Sequence, residues 1–138
     1  MRPGEIYRHS RFYVDKSTGE YKTKYFLILA IADGYVVFRP LTSQLRPEEP
    51  ECHHGLPYPS FYLGELGGRL GKKSWLDLTK RVNAELEDLR GLLDQAIIEH
   101  ETALAKSVFL RALVCTASAD DTDTAQEKAI RDLLATLR

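Results

Sequence analysis

The stretch YVVFRPLTSQ, residues 35–44, holds the first residues whose types and spacing suggest chemistry. Four β-favouring residues, Tyr35 to Phe38, run into Arg39 and Pro40 and end on two hydroxyls, Thr42 and Ser43. A strand that only builds a sheet could end in any turn chemistry, and Ser and Thr hydroxyls often hydrogen-bond the turn that follows. Why this one ends on two hydroxyls stays open on the residues alone. Other clusters offer less. GELGGRLGKKS looks superficially like a phosphate loop, but Leu66 stands where that motif needs glycine and Lys73 where it needs Ser or Thr. A hairpin with a basic tip is the plainer reading. The acidic residues of DDTDTAQE lack the glycine and distal glutamate of a calcium loop and suit a helix start. Cys52-His53-His54 can hold a metal only with remote ligands, since adjacent residues rarely share one tetrahedral site. A solvated loop is the expectation there. His100, beside an apolar stripe, reads as a partly buried histidine rather than a base. No Ser/His/Asp spacing signature is present.

The elements that must position these residues change period near residue 82. Before it, short strand-like runs alternate with turn signals. Gly4 to Tyr7 predicts a first short strand, and Tyr21 to Ala30 a second, with Tyr21, Thr23, Tyr25, Leu27 and Leu29 on one face. Asp33-Gly34 predicts a two-residue hairpin into a third strand, Tyr35 to Leu41. Phe61 to Leu66 and Ser74 to Leu78 complete five strands, enough for a small barrel or a strongly twisted sheet. Gln44 to Ser60, with four prolines, reads as a long surface loop. After residue 82 the spacing is helical. Leu86, Leu89, Leu93 and Ile97 follow Asn83, a candidate N-cap, and a second stripe runs from Leu104 to Leu113. No glycine or proline separates the stripes, so one long helix bent near His100 is expected. Thr124-Ala-Gln-Glu127 reads as a capping box before a last helix. The fold class expected is therefore α+β in a single domain, 1–138, with strands over 2–82 and a helical extension over 83–138.

Composition limits the function classes. At 138 residues, 43 % hydrophobic and 28 % charged, the chain is of globular type and long enough for one core. No apolar run approaches the roughly 18 residues of a membrane span, so no membrane partner is expected. The N-terminal residues lack the apolar region of a signal peptide, which points to the cytoplasm and to Cys52 and Cys115 as separate thiols. The net charge of −1 hides an asymmetry. Residues 1–81 hold 13 Lys and Arg against 9 Asp and Glu, whereas 82–138 hold 6 against 11. A basic half beside an acidic half suits a polyanion-binding face, and it is also what two differently solvated faces produce.

RPGEIYR at 2–8, KTKYFLILA at 22–30, VVFRPLTSQ at 36–44 and KKSWLDLTKRV at 72–82 together resemble the MazF/PemK family. The resemblance covers about residues 2–82. It implies an SH3-like barrel, and a toxin of a toxin–antitoxin pair that cuts single-stranded RNA without metal or other cofactor. It implies single-stranded RNA, an antitoxin protein and a second copy of the chain as partners. Cleavage by attack of the 2′-hydroxyl needs a proton acceptor, a proton donor and cationic stabilisation at phosphorus. The resemblance places Thr42 at the reacting phosphate with Ser43 beside it. Where the family shows Arg-Pro at the start of the second strand, this chain has Lys24-Tyr25. Lys24 then takes the cationic role without the bidentate fork of arginine. Arg8, Arg11, Lys22 and Arg39 are the residues expected to steer RNA. Two readings result: an endoribonuclease acting through Lys24, Thr42 and Ser43, or a catalytically degenerate SH3-like module binding RNA or a protein.

Overall fold

The computed structural model describes residues 1–79 and 82–138. Lys80 and Arg81, within the KKSWLDLTKRV stretch, lie outside the described residues. The architecture is mixed α+β. Eight antiparallel strands are present among the described residues: β1 (Glu5–Val14), β2 (Tyr21–Ala32), β3 (Tyr35–Thr42), β4 (Cys52–His53), β5 (Ser60–Gly64), β6 (Ser74–Asp77), β7 (Val82–Glu85) and β8 (Ile98–Ala103). Three helices accompany them: α1 (Leu86–Asp94), α2 (Lys106–Ala117) and α3 (Thr124–Leu137). The pairing path β4-β5-β6-β3-β2-β1-β8 is open, and β7 pairs with β3. No helix among the described residues is long and apolar enough to cross a membrane.

The hairpin expected at Asp33-Gly34 is present. Both residues have positive φ, 52° and 80°, as a type I′ turn requires. That turn sets the register Ala32↔Tyr35, and a bulge at Leu29 carries it on to Leu27↔Arg39. Alternation then sends the two strands' apolar residues to opposite faces. Leu27, Leu29, Val37 and Leu41 meet Phe109, Leu113, Ile130 and Leu134 of α2 and α3 on one face. Tyr7, Phe26, Ile28, Val36 and Phe38 meet Leu89 of α1 and Ile98 on the other. Covering both faces explains why the middles of β2 and β3 are apolar without interruption.

Several expectations require correction. The strands number eight rather than five, and 83–138 is not a helical extension, because β7 and β8 lie within it. One long helix bent near His100 does not form: α1 stops at Asp94, Ala96 takes a left-handed φ of 57°, and Ile98–Ala103 pairs with β1. The open edge of β1 offers a row of backbone hydrogen bonds that outweighs the helical spacing. Asn83 consequently lies in β7, and Glu85 is the residue before α1. At α3 the cap is Asp123, whose carboxylate accepts the Gln126 amide at 2.8 Å, so Thr124 is the first helical residue. Cys52 and Cys115 are not separate thiols either. They form a disulfide, with Cα atoms 5.7 Å apart.

Candidate functional site

The site assembles where β2 begins and β3 ends. Leu41 and Thr42 pair with Leu76 and Trp75 of β6, which brings the β5–β6 loop over the start of β2. That loop turns tightly at Gly67-Gly68, both at positive φ (79° and 57°), values that favour glycine over any residue with a Cβ. Leu70 is buried in the core and anchors the loop, leaving Arg69 and Lys72 exposed on either side. A cavity of about 400 Å³ results. Lys24, Thr42, Ser43, Arg69 and Lys72 line it together with Tyr13 and Tyr25. Its size is that of a small-ligand site. No carboxylate or imidazole is among the described lining residues. Three cations over a polar floor therefore make an anion-binding concavity.

The three residues expected to react are thus brought together. Lys24 is partly buried, and its Nζ donates to the Leu41 carbonyl at 3.2 Å, tying the start of β2 to the end of β3. Thr42 is buried, and its Oγ1 accepts the Gln44 amide at 3.2 Å, a turn closed by a hydroxyl. Ser43 is exposed. Trp75, opposite Thr42, donates from Nε1 to the Pro47 carbonyl at 2.8 Å and fixes the chain leaving the cavity.

The expected RNA-steering set divides. Arg8 reaches Thr23 Oγ1 at 3.5 Å, and Thr23 lines the cavity. Arg11 lies 5.6 Å from the centre of the Tyr21 ring, and Lys22 pairs with Asp15 at 3.7 Å; both stand at the outer end of the β1–β2 hairpin. Arg39 is withdrawn from the set. It is 0 % exposed, beneath α3, donating to the Phe38 and Val82 carbonyls, Thr122 Oγ1 and Gln126 Oε1 at 2.9–3.3 Å. Its place between Val37 and Leu41 in the alternation, both core residues, is the signal that it points inward.

Arg69 and Lys72 were not among the expected site residues. The basic tip of GGRLGKK is their only trace in sequence, since nothing local says which strand end the loop will cover. His9, opposite Lys24 in register, does not line the cavity. Burial holds its pKa below the ordinary value, and its Nδ1 accepts the Arg11 amide at 3.1 Å. His100 is exposed rather than partly buried, lies 3.1 Å from Glu5 and is not among the residues that line the cavity. No family model, no curated protein and no solved structure matches this chain, so the meaning of the cavity rests on its own geometry.

Proposed function

We propose that this protein is a MazF/PemK-like, metal-independent endoribonuclease that takes the backbone of single-stranded RNA into the basic cavity. In this reading β1, β2, β3, β5 and β6 correspond to the five strands of an SH3-like barrel. The observation that carries it is the assembly of Lys24, Thr42 and Ser43 with Arg69 and Lys72 around one concavity. Lys24, Arg69 and Lys72 neutralise the phosphate and the charge that develops on it as the 2′-hydroxyl attacks. Thr42 and Ser43 hydrogen-bond its oxygens, and Tyr13 and Tyr25 offer faces on which bases stack. With no carboxylate or imidazole lining the cavity, proton transfer falls to hydroxyls and phenols.

Purified protein should cut single-stranded RNA in EDTA and leave cyclic or 3′-phosphate ends. Thr42→Ala should slow this by roughly 10²-fold while the protein stays folded. A second reading, binding without cleavage, has one observation in its favour. Thr42 Oγ1 and Lys24 Nζ are both engaged by the chain's own backbone. Lys24→Arg separates the two: activity that appears only in the arginine variant marks a degenerate site. RNA left intact by both proteins, with binding retained, leaves the module reading alone.

A further inference from the structure

Away from the cavity, the 44–59 loop is fastened to α2 by more than the disulfide. Arg111 of α2 meets Glu51 at 2.6 Å, and the Glu51 carbonyl accepts the Tyr62 amide at 2.8 Å. His54 then folds back over the sulfurs. Its Nε2 lies 3.4 Å from Cys52 Sγ, 3.5 Å from Cys115 Sγ and 2.9 Å from the Cys115 carbonyl. A carbonyl only accepts, so Nε2 carries the proton here. The remote ligand that a metal at Cys52-His53-His54 would need is thus supplied by Cys115. One ligand atom from each of Cys52, His54 and Cys115 lies within 4.8 Å of the others.

The sulfur–nitrogen distances fit a particular ion, provided that the bonded sulfurs part on reduction. A tetrahedral zinc with Zn–S of ~2.3 Å and Zn–N of ~2.0 Å sets sulfur and nitrogen about 3.5 Å apart. Both sulfur–nitrogen separations already have that value. Two thiolates and one imidazole also make a ligand set that zinc prefers over calcium or magnesium. Beside His54 a smaller cavity of about 140 Å³ is shared with Thr79, Asp120 and Asp121. Its exposed carboxylates draw a cation inward from solvent. Cys115, buried at 2 %, forms the closed end of the site.

We propose that the Cys52–Cys115 disulfide is the oxidised form of a zinc site made by Cys52, His54 and Cys115. A cellular or added dithiol gives two electrons and two protons to the sulfur–sulfur bond and leaves as its own disulfide. Zn²⁺ then displaces the two thiol protons, and His54 releases the Cys115 carbonyl as its ring proton moves from Nε2 to Nδ1. Water, or a carboxylate of the Asp120–Asp121 turn, takes the fourth position. Loop 44–59 stays pinned to α2 in either state, by a covalent bond or by the metal.

The test is to reduce the full chain with a dithiol, remove the reductant anaerobically, and titrate Zn²⁺ against a chromophoric chelator. One zinc per chain is expected for reduced protein and none for oxidised protein. Cys52→Ser and His54→Ala each remove a ligand and should weaken binding by more than the roughly 10- to 100-fold that losing a ligand's hydrogen-bond partner costs. His54→Ala keeps the disulfide, so its oxidised form also reports whether the fold survives. Co²⁺ in place of Zn²⁺ should show thiolate charge-transfer absorption that Cys52→Ser weakens. If the reduced chain unfolds, zinc should restore its circular dichroism. Reduced protein that takes up no zinc, equal uptake by the Cys52→Ser variant, or an unfolded reduced chain that zinc does not rescue would each overturn the proposal.

Discussion

β3 contains two regions that differ by only three residues in sequence and by everything in environment. At its middle, Arg39 lies under α3 with its guanidinium held by four oxygens. At its end, Thr42 and Ser43 border a basic cavity that also holds Lys24, Arg69 and Lys72. A cation on the first region ties a helix to a sheet, whereas cations on the second face whatever enters from solvent. The difference lies in what covers the face, not in the charge. A buried cation must be satisfied by the protein itself, and among the described residues the Phe38 and Val82 carbonyls, Thr122 just before α3 and Gln126 within it hold this one.

The comparison is broken most severely at Arg39. Arg39→Ala strands the Val82 carbonyl, Gln126 Oε1 and a large void, so stability should fall by about 3 kcal/mol or more, with RNA affinity of the folded fraction unchanged. Urea denaturation beside a filter-binding titration reads both. If Arg39→Ala leaves stability intact and weakens RNA binding, the two regions have been assigned the wrong way round.

At the other end, the Arg69→Ala, Lys72→Ala double variant should leave the urea midpoint within experimental error. Its affinity for single-stranded RNA should fall roughly 10-fold or more, about equally for unrelated sequences. The slope of log affinity against log salt should shrink by about 1.4, the counterions of two lost phosphate contacts. An unchanged slope removes these residues from the interface.

Smaller effects sharpen the picture. Asp123→Ala removes the cap of α3 and should cost about 1 kcal/mol, with no change in RNA binding. Acidification tests the other face of the sheet. Burial lowers the folded pKa of His9, so below about pH 6.5 the unfolded chain takes up a proton that the folded chain resists. Stability is then present above pH 6.5 and declines as pH falls toward the folded value. Glu5 acts lower on the scale. Burial would raise its carboxyl, but hydrogen bonds from the Tyr7 hydroxyl and the Arg2 amide, with His100 nearby, leave it below the ordinary value. Its contribution is complete above about pH 4.5 and fades beneath that. Urea midpoints should therefore drop from pH 7.5 to 5.5 in the wild type and drop less in His9→Gln.

The sequence by itself determined the features whose cause is local. Asp33-Gly34 specifies its turn because few residue pairs accept two positive φ angles in succession. The period-two run from Tyr21 does not pick out one buried face, since Tyr21 and Thr23 are exposed and the middle of β2 is buried on both sides; the turn is what sets the register of β3. That Lys24 in β2, Thr42 at the end of β3 and Ser43 just past it come together follows from the one tight hairpin that pairs the two strands. The rest depended on partners far along the chain. Arg39 was misread because its oxygens come from residues 82, 122 and 126 as well as its neighbour. Ile98–Ala103 was misread because the free edge of β1, some 90 residues earlier, decides its conformation. Arg69 and Lys72 joined the site only through the pairing of β6 with the end of β3. Cys52 and Cys115 met across 63 residues, and with His54 they form a cluster that no local spacing encodes. Local sterics can be read from neighbouring residues, whereas burial and long-range pairing are decided only when the whole chain competes for them.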